Sequence, residues 1–179
     1  MFSYTSGTTG DSKGVKMTHN MIIKQALTGM DNVEDGEAMI SYLPLPHSFE
    51  QICFGLSLIR KIRIGYYQGD PLKLVDDCRL LQPTLFPSVP RLYTRIYSKI
   101  KGQFDAQTGC KKWLIERGLA SKMAALEQSG SVYSGCYDGL VFSKVAALLG
   151  GKVKLMCTGS APIDKAVLDF LKVCFSCPI

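Results

Sequence analysis

An α/β fold, with a largely parallel sheet and helices on both faces, is the architecture this sequence predicts. Three observations predict it. Short apolar runs of strand character recur at 38–45, 62–69, 83–89 and 152–160. Segments of helical length and periodicity separate them. Proline or glycine stands at most of the junctions, where each punctuates one element from the next. Strands alternating with helices argue for βαβ units, whose crossover helices cover the sheet.

Each element follows from its residues. Thr18 can cap a helix over 18–29, THNMIIKQALTG, and Gly29 can end it. AMISYLPL (38–45) is a strand stopped by Pro44 and Pro46, and SFEQICFGLSLIRK (48–61) fits a buried helix. IRIGYYQG (62–69) is a strand, and Asp70-Pro71 opens a helix over 70–82, since proline suits the first helical position. PTLFPSV (83–89) is a short strand, followed by a proline-initiated helix over 90–103 and a partly basic helix near 110–128. SGSVYSG is a loop, and CYDGLVFSKVAALLGG (136–151) reads as a helix closed by Gly150 and Gly151. A strand over 152–160 and an amphipathic helix over 161–175 complete the pattern.

With 179 residues, a single domain is the default organisation and two small ones the alternative. An apolar fraction of 46% and a charged fraction of 20% exclude wholesale disorder. No uncharged apolar run approaches the roughly 20 residues that span a bilayer, and the N-terminus lacks the basic leader and apolar block of a secretory signal. An intracellular protein is expected, cytoplasmic or peripheral to the endoplasmic reticulum or another organelle membrane. The seven cysteines, at 53, 78, 110, 136, 157, 174 and 177, fall at irregular intervals and mostly within apolar segments. Buried thiols in a reducing compartment are the expected state. Cys174 and Cys177 form a lone CxxC with both histidines far away in sequence, too few ligands for zinc.

The net charge of +6 is localised. Residues 91–122 hold Arg91, Arg95, Lys99, Lys101, Lys111, Lys112, Arg117 and Lys122 against Asp105 and Glu116, which leaves the rest of the chain neutral. Such a stretch is either the solvated face of two helices or a surface for an anionic partner, phosphorylated ligand or acidic lipid headgroups. No nucleic-acid-binding module accompanies the charge, so no nucleic-acid partner is expected.

The most informative stretch is YTSGTTGDSKG, residues 4–14. Glycines permit the positive φ angles and close approach that let successive N–H groups converge on one point. The hydroxyls of Thr5, Ser6, Thr8 and Thr9 add donors without bulk, and Lys13 adds a mobile cation. The combination suits a polyphosphate; the alternative is a polar surface loop between two strands. It is neither the common P-loop, which ends in GK[ST], nor a GxGxxG fingerprint.

This stretch resembles the phosphate-binding signature [ST]SG[ST]TGxPKG of the AMP-forming adenylating enzymes, departing from it at Ser12, where proline is usual. LPLPHSFEQ (43–51), PTLFPSVPRLYTRIY (83–97) and LMCTGSAPI (155–163) resemble further segments of the long-chain fatty acyl-CoA synthetase branch, in the family's order. The resemblance runs from about residue 3 to residue 175. It implies that Thr5, Ser6, Gly7, Thr8, Thr9, Gly10 and Lys13 bind the β- and γ-phosphates of ATP and steady the leaving pyrophosphate. It implies that His47 lies near the acyl and adenylate site; the alternative is a histidine merely hydrogen-bonded beside a proline turn. It implies that Gly159, Ser160, Ala161 and Pro162 wall the adenine, which is compatible with a plain strand-to-helix turn having Pro162 at the helix start. Helix 48–61 with Tyr66 and Tyr67 lines a fatty-acyl tunnel or is simple core.

Family members are several times longer. The YGxTE glutamate that helps hold magnesium, the TGD aspartate that grips the ribose, and the small C-terminal domain with its lysine have no counterpart in residues 1–179. The chain is therefore expected to be a partial AMP-binding (adenylation) domain over 1–179, an incomplete part of the large N-terminal domain, with the small C-terminal domain absent and no metal ligand of its own. The implied function is that of a long-chain fatty acid–CoA ligase. It joins a long-chain fatty acid to ATP, releases pyrophosphate, and passes the acyl group to coenzyme A with loss of AMP, using Mg2+. The implied partners are the fatty acid, ATP, coenzyme A and, peripherally, an anionic membrane. The alternative is a non-catalytic remnant, or a weak ATP-binding or lipid-binding module.

Overall fold

The computed structural model describes residues 2–5, 13–28, 33–159 and 161–179. Strands β1 (Phe2–Thr5) and β2 (Lys13–Lys16) pair antiparallel, with Phe2 opposite Lys16 and Thr5 opposite Lys13. Helix α1 (His19–Leu27) starts where the sequence predicts: the Thr18 hydroxyl accepts the Met21 N–H at 3.2 Å, satisfying one of the donors that a helix start leaves without a partner. Gly29, expected to end it, lies outside the described residues; the Thr28 N–H and hydroxyl both donate to the Lys24 carbonyl, the hydroxyl at 2.7 Å.

Four strands form the main sheet: β3 (Ala38–Ser41), β4 (Arg63–Tyr66), β5 (Leu85–Ser88) and β6 (Leu155–Thr158), all parallel in the order β4-β3-β5-β6. Parallel neighbours need crossovers. Helices α2 (Ser48–Ile59) and α3 (Leu74–Leu81) supply those after β3 and β4. The helices α4 (Pro90–Asp105) and α5 (Gly109–Ser129), with the segment after them, supply the long one from β5 to β6. Helix α8 (Lys165–Phe175) follows β6.

The period-2 alternation of strand side chains divides the core in two. Met39, Leu85 and Leu155 pack with Ala26 of α1 and with Phe49, Cys53 and Leu56 of α2. Their neighbours Ile40, Phe86 and Met156 join Cys78 of α3, Tyr93 and Ile96 of α4, and Leu171 of α8. Helices therefore cover both faces. Phe86 and Leu171 are 0% exposed, and burying one such side chain contributes about 1.5–3 kcal/mol. Tyr93 stitches α4 to the sheet, its hydroxyl donating to the carbonyls of Phe86 (2.7 Å) and Cys157 (3.3 Å). Where α3 crosses β4 there is no room for a side chain, since a Cβ on Gly65 would meet Leu81 Cδ2 at 2.5 Å.

Four expectations are corrected. The third helix begins at Leu74, not at Pro71: Asp70 accepts the Leu72 N–H through its carboxylate and the Lys73 N–H through its carbonyl, closing a separate turn. The last helix begins at Lys165, not at Pro162, because the Asp164 carboxylate accepts the Ala166 N–H at 2.8 Å and fixes the cap there. The predicted helix 136–151 is a succession of α6 (Gly135–Tyr137), a π-helical turn (Asp138–Phe142), α7 (Ser143–Ala146) and a 3-10 turn (Ala147–Leu149). Gly150 and Gly151, at φ +86° and +75°, end it as expected.

The fourth concerns Lys122, counted above with a basic surface. Its side chain is 0% exposed. Its Nζ donates to Asp138 Oδ1 at 2.5 Å and to Ser176 Oγ at 2.7 Å, and lies 4.5 Å from the centre of the Phe142 ring. The Ser134 N–H also donates to Asp138, at 2.7 Å. Burial pushes the Asp138 carboxyl up, but the bonds from Lys122, the Ser134 N–H and Ser176 outweigh it, and its pKa is lowered. A buried ammonium thus joins α5, the π-helical turn and the end of α8.

Candidate functional site

In open parallel sheets, ligands bind outside the carboxyl ends of the strands. Here each of the three neighbouring strands β3, β5 and β6 finishes on a hydroxyl residue: Ser41, Ser88 and Thr158. Ser88 and Thr158 stand opposite each other, as do Ser41 and Tyr66 at the end of β4. The Ser41 hydroxyl donates to Glu50 Oε1 at 2.5 Å, and Tyr42 Oη lies 2.7 Å from Ser88 Oγ. Thr158 Oγ1 is buried and, among the described residues, meets no hydrogen-bond partner; an unpaired buried hydroxyl of this kind calls for an explanation.

Glu50 stands in the first turn of α2 and is buried. Burial raises its pKa, partly offset by hydrogen bonds from Ser41 and from the Leu43 N–H and by His47. Burial also raises the pKa of the Tyr42 hydroxyl and pushes the Cys157 thiol up to about 12, with Cys53 higher still. These cysteines are thiols rather than thiolates near neutrality and are not nucleophiles. Cys174 and Cys177 are free and buried. Among the described residues no cluster of three or more His, Cys, Asp or Glu could hold a metal ion.

Of the residues singled out by sequence, His47 follows β3 and Gly159 follows β6, each beyond the carboxyl end of its strand. Thr5 and Lys13 face each other at the mouth of the β1–β2 hairpin; Ser6, Gly7, Thr8, Thr9 and Gly10, between them, lie outside the described residues. The hairpin is tied to the turn before His47, for Ser3 Oγ donates to the Pro46 carbonyl at 3.5 Å. His47 caps α2, its Nδ1 accepting the Phe49 N–H at 3.2 Å. Phe49 in turn lies against Gly159, where a Cβ would meet its ring at 3.5 Å. Gly159 is half-buried, and Ala161 and Pro162 are exposed on the β6–α8 connection; Ser160 lies outside the described residues. Ser3 of the hairpin, the Pro46–His47 turn, Phe49 and Gly159 thus form a chain of contacts.

An apolar groove of about 560 Å³ opens between α1 and α2, lined among others by Ile22, Ile23, Phe54 and Leu58. Gln51 also lines it, with Oε1 buried and without a partner among the described residues while Nε2 donates to the Leu45 carbonyl. Tyr66 and Tyr67 do not join α2 there: Tyr66 is 73% exposed and Tyr67 packs on the opposite core cluster. Sequence reasoning missed Ser41, Tyr42, Glu50, Ser88 and Thr158. The signal was present, for each strand run passes from apolar residues to a hydroxyl before its turn, in ISY, PSV and CTG.

The family model described as AMP-binding enzyme matches residues 1–179. The peroxisomal long chain acyl-CoA synthetase 7 of Arabidopsis thaliana is 41% identical over 178 residues, 98% of this chain and 25% of that protein. The long-chain-fatty-acid–CoA ligase 1 of Homo sapiens is 39% identical over 180 residues, 97% of this chain and 26% of that protein. The chain thus spans about a quarter of the length of the curated relatives it matches. Among solved structures, the adenylation domain of a carboxylate reductase from Mycobacterium chelonae superposes with a TM-score of 0.72 at 17% identity, covering 99% of this chain and 25% of that one. The A domain of a carboxylic acid reductase from Segniliparus rugosus, in complex with AMP and a co-purified carboxylic acid, gives 0.65 at 19% identity, covering 99% of this chain and 26% of that one. These two likenesses are of fold; with the family match over the whole chain and relatives near 40% identity, they lead to one conclusion: this chain belongs to the AMP-binding enzyme family.

Proposed function

We propose that this chain is the phosphate-binding part of a long-chain fatty acid–CoA ligase. In that reaction a fatty carboxylate attacks the α-phosphate of ATP and expels pyrophosphate, and coenzyme A then displaces AMP from the acyl-adenylate. The observation that carries the reading is the TSGTTGDSK loop closing the β1–β2 hairpin, in a chain about 40% identical to long-chain ligases. The N–H and hydroxyl groups of residues 5–10 and the Lys13 ammonium receive the β- and γ-phosphates. Charge that builds on the departing pyrophosphate is then met by these donors, each worth roughly 2.7–4 kcal/mol at comparable sites. Gly159, Ser160, Ala161 and Pro162 border the adenine. His47, held at the start of α2 by its own capping bond, borders the acyl-adenylate. Mg2+ belongs to the reaction, but the described residues offer no cluster of three or more His, Cys, Asp or Glu to hold it.

Two further roles are proposals of the same kind. The exposed basic residues of α4 and α5 make peripheral contact with an anionic membrane through headgroup charge; among the described residues no helix is long and apolar enough to cross one. The bonded hydroxyls of Ser41, Tyr42 and Ser88 hold the strand ends rigid beneath the nucleotide. The test is a chimera in which residues 1–179 replace the matching segment of a long-chain ligase. It is expected to release pyrophosphate from ATP in the presence of palmitate. Combining Thr9→Ala with Lys13→Ala should lower that rate by about 10² or more, the loss typical of one such donor. An unchanged rate in the double variant overturns the assignment of the loop.

A further inference from the structure

A second recess, remote in composition from the strand ends, lies between the end of α4, the start of α5 and the π-helical turn with α7. Its volume is about 600 Å³, within the roughly 300–1,000 Å³ of small-molecule sites. Its floor is apolar, formed by Phe104, Leu114, Val141, Val145 and Leu148. Lys111 and Lys144 line it with Gln103 and Gln107, and no carboxylate does. Neither lysine forms an ion pair with a described residue.

A third source of positive potential points the same way. Helix α5 begins with no side-chain bond from its cap residue Thr108 and with no acidic residue in its first turn; Lys111 and Lys112 stand there instead. The positive end of a helix dipole is stabilised by anions and disfavoured by cations. Two lysines without an ion-pair partner and an uncapped helix start border a recess lined mainly by apolar side chains. The chemistry complementary to that arrangement is an anionic head on an apolar chain.

We propose that this recess binds a single-chain anionic amphiphile, a long-chain fatty carboxylate. The chain lies on the Phe104–Leu148 floor and the carboxylate meets Lys111 and Lys144. No bond is made or broken; the recess holds lipid. None of the residues lining it belongs to the proposed phosphate loop, the His47 turn or the 159–162 connection, so the inference stands or falls apart from the ATP reading.

Trp113, the one tryptophan of the chain, adjoins Leu114 and is 60% exposed beneath the Arg117 guanidinium, 5.8 Å from its ring. It is not itself a lining residue, but it stands next in sequence to one and serves as the fluorophore. The full chain, without nucleotide, is titrated with sub-micellar brominated myristate while Trp113 fluorescence is followed. Saturable quenching is expected, at least tenfold weaker in the K111E/K144E double variant and weaker at high salt. Leu140→Asp, at a 59% exposed position of the same recess, should also weaken it without unfolding the chain. The Thr9→Ala, Lys13→Ala variant should quench as the unmodified chain does. Equal quenching by the charge-reversed variant, or by a trimethylammonium amphiphile of the same length, overturns the proposal. So does loss of quenching in the loop variant, which moves the site to the strand edge. Quenching confined to phosphatidylcholine/phosphatidylserine vesicles carrying brominated lipid, and absent with monomeric myristate, overturns it in favour of a membrane surface.

Discussion

Replacing Lys122 by alanine removes an ammonium that three elements share, and its cost can be worked from the contacts. The side chain is 0% exposed, holds Asp138 and Ser176 by bonds of 2.5 and 2.7 Å, and sits 4.5 Å from the centre of the Phe142 ring. Breaking a buried pair by removing one partner costs about 3–5 kcal/mol, chiefly because a charge is left behind. Here the abandoned carboxylate keeps the Ser134 N–H at 2.7 Å and the Ser176 hydroxyl at 2.8 Å and is 24% exposed. The loss should therefore fall at the lower end, about 3 kcal/mol. For a domain of this size that corresponds to a melting temperature lower by about 6–12 °C. Asp138→Asn should cost more, because its abandoned partner, Lys122, has no access to water. Adding Lys122→Met to it should restore part of the loss, since no buried charge remains. Urea unfolding of the three variants measures these differences. A Lys122→Ala loss below about 1 kcal/mol, the value of an exposed pair, would refute the assignment of a buried ammonium.

Three further outcomes are expected. Gly150→Ala should destabilise by about 2–4 kcal/mol, combining a left-handed φ with overpacking, since its Cβ would meet the Cys78 carbonyl and Gln82 Cα at 2.7 Å; Gly151→Ala, at φ +75° with nothing within 4 Å, should cost only about 1–2 kcal/mol, and equal losses would contradict the packing described. Glu50→Gln should change the pH dependence of stability. A carboxyl whose pKa is raised on folding binds more protons in the folded state, so stability falls as pH rises from its unfolded value of about 4.5 through its folded one. The glutamine variant should lack that fall and match the parent below it; parallel pH curves would contradict the burial argument. Binding to anionic vesicles should weaken steeply with salt and vanish on neutral ones; equal binding to both would show that charge on α4 and α5 is not its cause.

Much of this fold is legible in the sequence because its signals are local. Thr18 caps α1, Pro90 opens α4, and Gly150 closes the helical segment before β6, each by its own geometry. The central strands β3 and β5 are buried throughout, as expected of a parallel sheet covered on both faces, whereas the edge strand β4 carries Arg63 and is exposed or half-buried. What was not legible depends on contacts distant in sequence. Nothing in α5 distinguishes Lys122 from Lys111 until Asp138 and Ser176 are brought to it. The π-helical turn begins at Asp138, whose carboxylate is bonded to Lys122, Ser176 and the Ser134 N–H. Competing side-chain bonds decided the two misplaced helix starts: the Asp70 carboxylate accepts the Leu72 N–H in a turn before α3, and Asp164 caps α8, while a neighbouring proline supplies only a fixed φ. For the candidate site, the motif residues were recognisable one stretch at a time. The hydroxyl row of Ser41, Ser88 and Thr158 emerges only when three separate strands are laid side by side.

The affinity of the chain for ATP, compared by calorimetry with that of the Thr9→Ala, Lys13→Ala variant, bears most directly on the role given to the hairpin loop. Measurable binding by the unmodified chain and a loss of much more than tenfold in the variant is the result predicted. Undiminished binding by the variant would contradict it.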